Sequence, residues 1–124
     1  MTRFVMTLDQ SVDLIDYDIL HGESGDTIIP KLISMNVKDL MELFSEKYDK
    51  PILTTGLRSG EKMLESLINE TQSGRIVVRG DYTHIKSVIK YPDAIHEIVK
   101  DYNSKTNTLT KSELKDYLNS LSLL

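Results

Sequence analysis

The 124-residue chain has no cysteine and no tryptophan, and only 3 prolines and 6 glycines. Without cysteine there are no disulfides, no thiolate nucleophile and no Cys-type zinc site. So few Pro and Gly residues, beside 40% hydrophobic and 27% charged residues, argue against a fibrous or disordered chain. An excess of basic charge is also missing: 15 Lys and Arg against 19 Asp and Glu give a formal net charge of −4. Nucleic acid is therefore not an expected partner, although one local basic pocket for a phosphorylated metabolite is compatible with that balance. No run approaches the about 20 apolar residues of a membrane span. The N-terminal stretch Met1–Met6 has no secretory pattern. A cytoplasmic protein with no membrane association is the expectation. The length suits one domain, and falls short of the about 200 residues or more that a dinucleotide fold plus a substrate domain needs.

Hydrophobic spacing predicts helices separated by short β-like runs. Val12, Ile15 and Ile19 make a helical stripe after Asp9 as N-cap, and His21-Gly22 ends it. Asn36 caps a second helix with Val37, Leu40, Met41 and Phe44 on one face. A short third helix is expected from Gly60-Glu61 through Leu64, Leu67 and Ile68. A fourth starts at Pro92 and carries Ile95, Ile98, Val99 and Tyr102. Thr110 and Glu113 have capping-box spacing, Leu109 and Leu114 staple spacing, and Leu114, Tyr117, Leu118 and Leu121 form the last stripe. Val-, Ile- and Thr-rich strands are expected at residues 4–8, 27–29, 52–55 and 75–79. The alternation predicts an α/β fold with part of its sheet parallel. A body at residues 1–102 is expected, with 103–124 as linker and C-terminal helical arm.

The stretch Thr54-Thr55-Gly56-Leu57-Arg58-Ser59-Gly60-Glu61-Lys62 draws chemical attention. A glycine-bearing loop with an arginine, opening a helix, can bind an anion, and a carboxylate can accept hydrogen bonds from sugar hydroxyls. By pattern alone it suits either a sugar-nucleotide contact or a surface turn whose Glu61 complements the helix dipole. Arg3 is either a second anion ligand or a free terminal residue. The three histidines, His21, His84 and His96, show no metal-ligand spacing. No Gly-x-Gly-x-x-Gly loop, P-loop or Gly-x-Ser-x-Gly elbow is present. Tyr82 and Lys86 have the Tyr-x-x-x-Lys spacing of short-chain dehydrogenases, but lie in or beside a β-like run where that pair needs one helical face.

Met1-Thr2-Arg3-Phe4 with Thr7-Leu8-Asp9, Gly25-Asp26 through Pro30-Lys31, Ser34-Met35, the loop from Gly56 to Lys62, and the tail motifs Tyr102-Asn103-Ser104, Thr108-Leu109-Thr110 and Glu113-Leu114-Lys115 occur in a shared order. In these the chain resembles the C-terminal, substrate-side part of UDP-N-acetylglucosamine 4,6-dehydratases and the related epimerases of polysaccharide biosynthesis, in the extended short-chain dehydrogenase/reductase superfamily. The resemblance implies that Arg58 contacts the UDP pyrophosphate, Glu61 the ribose, and Arg3 a phosphate. It further implies a nucleotide-sugar enzyme whose NAD(P) is bound by a Rossmann half, together with the catalytic Tyr-x-x-x-Lys, upstream of Met-Thr-Arg-Phe. The chain itself is then expected to bind UDP-sugar weakly, to carry no cofactor or catalytic residue and to be silent alone. Its expected partners are a Rossmann-half protein or further copies of itself. A non-catalytic interaction module is the other expectation. Ser59 stands where the family usually has Pro or His, which loosens the loop, and Leu64 replaces a frequent polar or aromatic residue.

Overall fold

The computed structural model describes residues 1–90 and 101–124, so most of the helix expected from Pro92 lies outside the described residues. The chain forms two compact units, each assembled from separated segments. One of their boundaries, between Asn103 and Ser104, lies one residue from the expected boundary after residue 102, and the others lie within the expected body.

Unit 1 comprises Met1–Val5, Ile33–Glu65 and Ser104–Leu124. Strands β1 (Thr2–Val5) and β3 (Ile33–Asn36) pair antiparallel, with Arg3 opposite Met35. Asn36 then caps α2 (Val37–Tyr48), its side chain accepting the Lys38 N–H, as its residue type predicts. Helix α3 (Lys111–Ser120) starts at the expected Thr110–Glu113 capping box. Leu114 and Leu118 on α3 meet Leu43 on α2, with Leu40, Phe44, Met35 and Leu109 packed around them. The segment before α3 is tied down by buried hydroxyls. Ser34 Oγ donates to the Ser104 carbonyl at 2.6 Å, and Ser104 Oγ accepts the Glu65 N–H at 3.0 Å.

Unit 2 comprises Met6–Leu32 and Ser66–Asn103. Its sheet runs β2 (Thr27–Pro30), β6 (Tyr82–Ile85), β5 (Ile76–Arg79). Strands β5 and β6 join through Gly80-Asp81, with Gly80 at φ 61°, in the left-handed region where hairpin turns favour glycine. Strand β4 (Ser66–Ile68) pairs with β7 (Tyr102–Asn103). The core is four isoleucines, Ile29, Ile68, Ile76 and Ile85, flanked by Leu67 and Tyr102.

Several expectations are corrected. All strand pairs among the described residues are antiparallel; the one parallel contact is an isolated bridge between Ser34 and Thr108. Residues 52–55 form no strand, and among the described residues no strand pairs with them. Instead of a third helix, residues 66–68 form β4, since β7 offers a pairing edge that local periodicity cannot register. Helix α1 spans Leu8–His21 and is capped by Thr7 with Gln10, which places Asp9 in the first turn. Its predicted inward stripe faces outward: Val12, Ile15 and Ile19 are exposed, while Leu14 and Tyr17 turn inward. Tyr17 fixes this rotation by stacking on Tyr82 at 3.7 Å and hydrogen-bonding His84.

Candidate functional site

The Arg58 loop lies in unit 1 and is a turn, not the start of a helix. The Glu61 N–H donates to the Arg58 carbonyl at 3.1 Å, closing a four-residue turn around Ser59 and Gly60. Gly60 has φ 84°, a conformation that type II turns demand at this position and that side-chain-bearing residues adopt at a cost. From the other side, the Arg58 N–H donates to Glu61 Oε2 at 3.0 Å. Sequence and geometry thus agree on why Gly and Glu stand here: one permits the turn, the other locks it. The helix-terminus argument for anion binding does not apply, as no helix follows.

The locked turn leaves two groups free to act. No hydrogen bond or ion pair among the described residues engages the Arg58 guanidinium, so its fork of donors is open to a phosphate. Glu61 uses one carboxylate oxygen on the turn, and a carboxylate offers about four acceptor positions, so hydroxyls can still be accepted. Both side chains line an open cleft of about 630 Å³ in unit 1. Its other walls are Val37, Lys38 and Met41 on α2, with Ile52, Leu53 and Leu57 from the preceding segment. These apolar residues went unrecognised as cleft walls because Ile52 and Leu53 lie in a run that reads as a buried strand. Lys38 adds a second cation, with Glu42 at 3.7 Å as its ion-pair partner among the described residues.

Arg3 sits differently. Its Nη1 donates to the Thr2 carbonyl and its Nη2 to the Lys62 carbonyl, each at 2.8 Å, and Nε lies 3.6 Å from Glu65 Oε1. The structure therefore brings Arg58 and Glu61 together on one turn and connects Arg3 to the backbone just beyond it.

Unit 2 holds a polar cluster that sequence reading missed. Lys86 Nζ lies 2.7 Å from Asp26 Oδ2, both side chains being buried, and 3.4 Å from Glu23. His84 is fully buried, with Nε2 2.9 Å from the Tyr17 hydroxyl and Nδ1 3.6 Å from Asp26 Oδ2. Burial pushes the His84 pKa down, and contact with Asp26 opposes this only in part. Burial raises that of Asp26, but hydrogen bonds from Lys86 and the Glu23 N–H outweigh it and leave the group below its usual range. For Lys86 burial likewise opposes the charge, and Asp26 wins, raising the pKa. The only sequence signal was the Gly25-Asp26 motif, whose partner stands 60 positions away.

Tyr82 and Lys86 do not form a dehydrogenase pair. Tyr82 lies on β6 stacked against Tyr17, and the Lys86 ammonium is held by carboxylates. These residues do not fit a nicotinamide site. Among the described residues no group of three His, Asp or Glu could hold a metal ion, and no helix is long and apolar enough to cross a membrane.

Comparison with known proteins agrees with the loop and flanking motifs. The family described as polysaccharide biosynthesis protein matches residues 1–87. A UDP-glucose 4-epimerase of Rickettsia felis is 33% identical, with 95% of this chain and 38% of the relative covered. That of Rickettsia typhi is 34% identical with the same coverage. The X-ray structure of Pen from Bacillus thuringiensis superposes with a TM-score of 0.83 at 29% identity, covering 100% of this chain and 39% of that one. The chain thus spans 38% of the length of these curated relatives. It belongs to the polysaccharide biosynthesis protein family, and its α/β fold is that of the C-terminal part of an extended short-chain dehydrogenase/reductase-type protein.

Proposed function

We propose that this chain is the UDP-sugar-binding subdomain of a nucleotide-sugar dehydratase or epimerase, binding UDP-sugar weakly and silent without a nucleotide-binding half. The observation that carries the reading is the Arg58–Glu61 turn, an open guanidinium and a carboxylate held together beside a cleft. Arg58 forks onto the pyrophosphate and Glu61 accepts the ribose hydroxyls. The relatives named as UDP-glucose 4-epimerases support the substrate class. Oxidation and reduction of the sugar belong to NAD(P), seated in a Rossmann half that this chain would complement.

Calorimetry with UDP, UDP-glucose and UDP-N-acetylglucosamine tests the site. Wild type should bind with a Kd weaker than micromolar, and Arg58→Ala should abolish the heat. Equal heats from the two proteins would sink the assignment. Incubation of the chain alone with NAD(P) and UDP-sugar should yield no product.

The exposed stripe Leu8, Val12, Ile15 and Ile19 on α1 favours a second reading, an interaction module that self-associates. Light scattering after size exclusion should then show oligomers, and a monomer at high concentration counts against it.

A further inference from the structure

We propose that Arg3 is a positioning residue for the Arg58–Glu61 turn: its guanidinium holds the Lys62 carbonyl against β1 and so fixes the turn's orientation. The inference rests on the UDP-binding reading above, which makes that turn the ligand-contacting element. Among the described residues, no hydrogen bond or ion pair joins residues 51–57 to the rest of unit 1, so the upstream side leaves the turn loosely held. The downstream side is held at two successive carbonyls by two successive residues of β1. The Thr2 N–H donates to Met63 at 2.9 Å, and Arg3 Nη2 donates to Lys62 at 2.8 Å. Lys62 directly follows Glu61, so the Arg3 bond is the tether nearest the turn.

Arg3 is itself held in place. Nη1 bonds the Thr2 carbonyl, and Nε faces Glu65, whose other carboxylate oxygen accepts the Phe4 N–H at 3.2 Å. The Glu65 N–H in turn donates to the buried Ser104. A planar guanidinium presents five donors in a fixed fork that meets two separate carbonyls and a carboxylate at once, whereas an ammonium presents three donors from one point on a flexible stem. Nε and one N–H of each Nη are committed to Glu65, Thr2 and Lys62, so three of the five guanidinium donors serve this clamp.

Backbone ¹⁵N relaxation on the unliganded chain, followed by UDP calorimetry, tests this with wild type, Arg3→Ala and Arg3→Lys. Order parameters at residues 58–62 should fall below about 0.6 in Arg3→Ala while those of α2 and α3 hold near 0.85, which also shows that unit 1 is folded. UDP affinity should fall about tenfold in Arg3→Ala and nearly as far in Arg3→Lys. Unchanged order parameters at 58–62 overturn the proposal. So does wild-type affinity in Arg3→Lys, because a retained point charge suffices for a direct phosphate contact and not for the two-carbonyl clamp. Should wild type bind no UDP, the UDP reading fails, and the relaxation data alone decide whether Arg3 holds the turn.

Discussion

Units 1 and 2 each close around a small aliphatic cluster, but they bury different polar groups. Unit 1 buries the hydroxyls of Ser34 and Ser104, which stay neutral at every ordinary pH. Unit 2 buries Lys86, the Asp26 carboxylate and the His84 ring, all linked to one another and to Tyr17. Neutral hydroxyls cross-link strands and loops at low desolvation cost. Buried charges do so at high cost, and only while every partner stays in place. Unit 2 should therefore respond to pH and to loss of a single charge, and unit 1 should not.

The largest effect should come from Asp26→Ala, which leaves Lys86 buried without its nearest partner. It should destabilise unit 2 by about 3–5 kcal/mol in chemical denaturation. A cost under about 1 kcal/mol would mean that the cluster contributes little, and would erase the contrast. Cavity variants come next: Ile76→Ala and Leu114→Ala each remove a fully buried side chain and should cost about 2–5 kcal/mol. Residue-resolved hydrogen exchange should place the first loss in β5 and β6 and the second in α2 and α3. Identical exchange patterns would show the units to be one cooperative block. Ser34→Ala should be milder, about 1–3 kcal/mol, since it leaves the Ser104 carbonyl with the Thr108 hydroxyl as a remaining donor.

The pH response should be the smallest. His84 has a folded pKa below its ordinary 6.5, so the unfolded chain binds the extra proton. Its contribution is complete above pH 6.5 and is lost as pH falls from there through the folded value. The depressed Asp26 acts in the same direction in a lower window, its contribution being lost below about pH 3.8. Thermal denaturation should give a melting temperature that drops between pH 7.5 and 5.5, and His84→Gln should flatten that slope. Wild-type slope in the variant would assign the response elsewhere. Lys111 with Glu42 and Glu46 in unit 1 keeps about a third or more of each side chain exposed, so solvent screens the pairing and its pH signature should be weaker.

Elements whose cause is local were legible. The Thr110–Glu113 capping box, the Asn36 cap and the Gly22 terminus each depend on residues within one turn, and each stands where its pattern puts it. The loop at Arg58 was legible as chemistry, because guanidinium, glycine and carboxylate are recognisable in any context. Its shape was not, since a helix was expected and a locked turn is found.

What the sequence by itself determined, then, is the caps of α2 and α3, the Gly22 end of α1, the α/β character, the family and the identity of the charged groups at the turn. Tertiary structure alone decided the rest. Residues 64–68 read as helix until β7, more than 30 positions away, supplies a strand edge. The apolar stripe of α1 points outward because Tyr17 is drawn to Tyr82 and His84 on β6. Arg3 turns to the Lys62 carbonyl 59 positions ahead, and Asp26 finds Lys86 across 60. Spacing within a helix or cap is fixed by bonded geometry, so it is written in neighbouring letters. Pairing across such separations depends on which surfaces the folded chain brings into contact, and no local pattern holds that information.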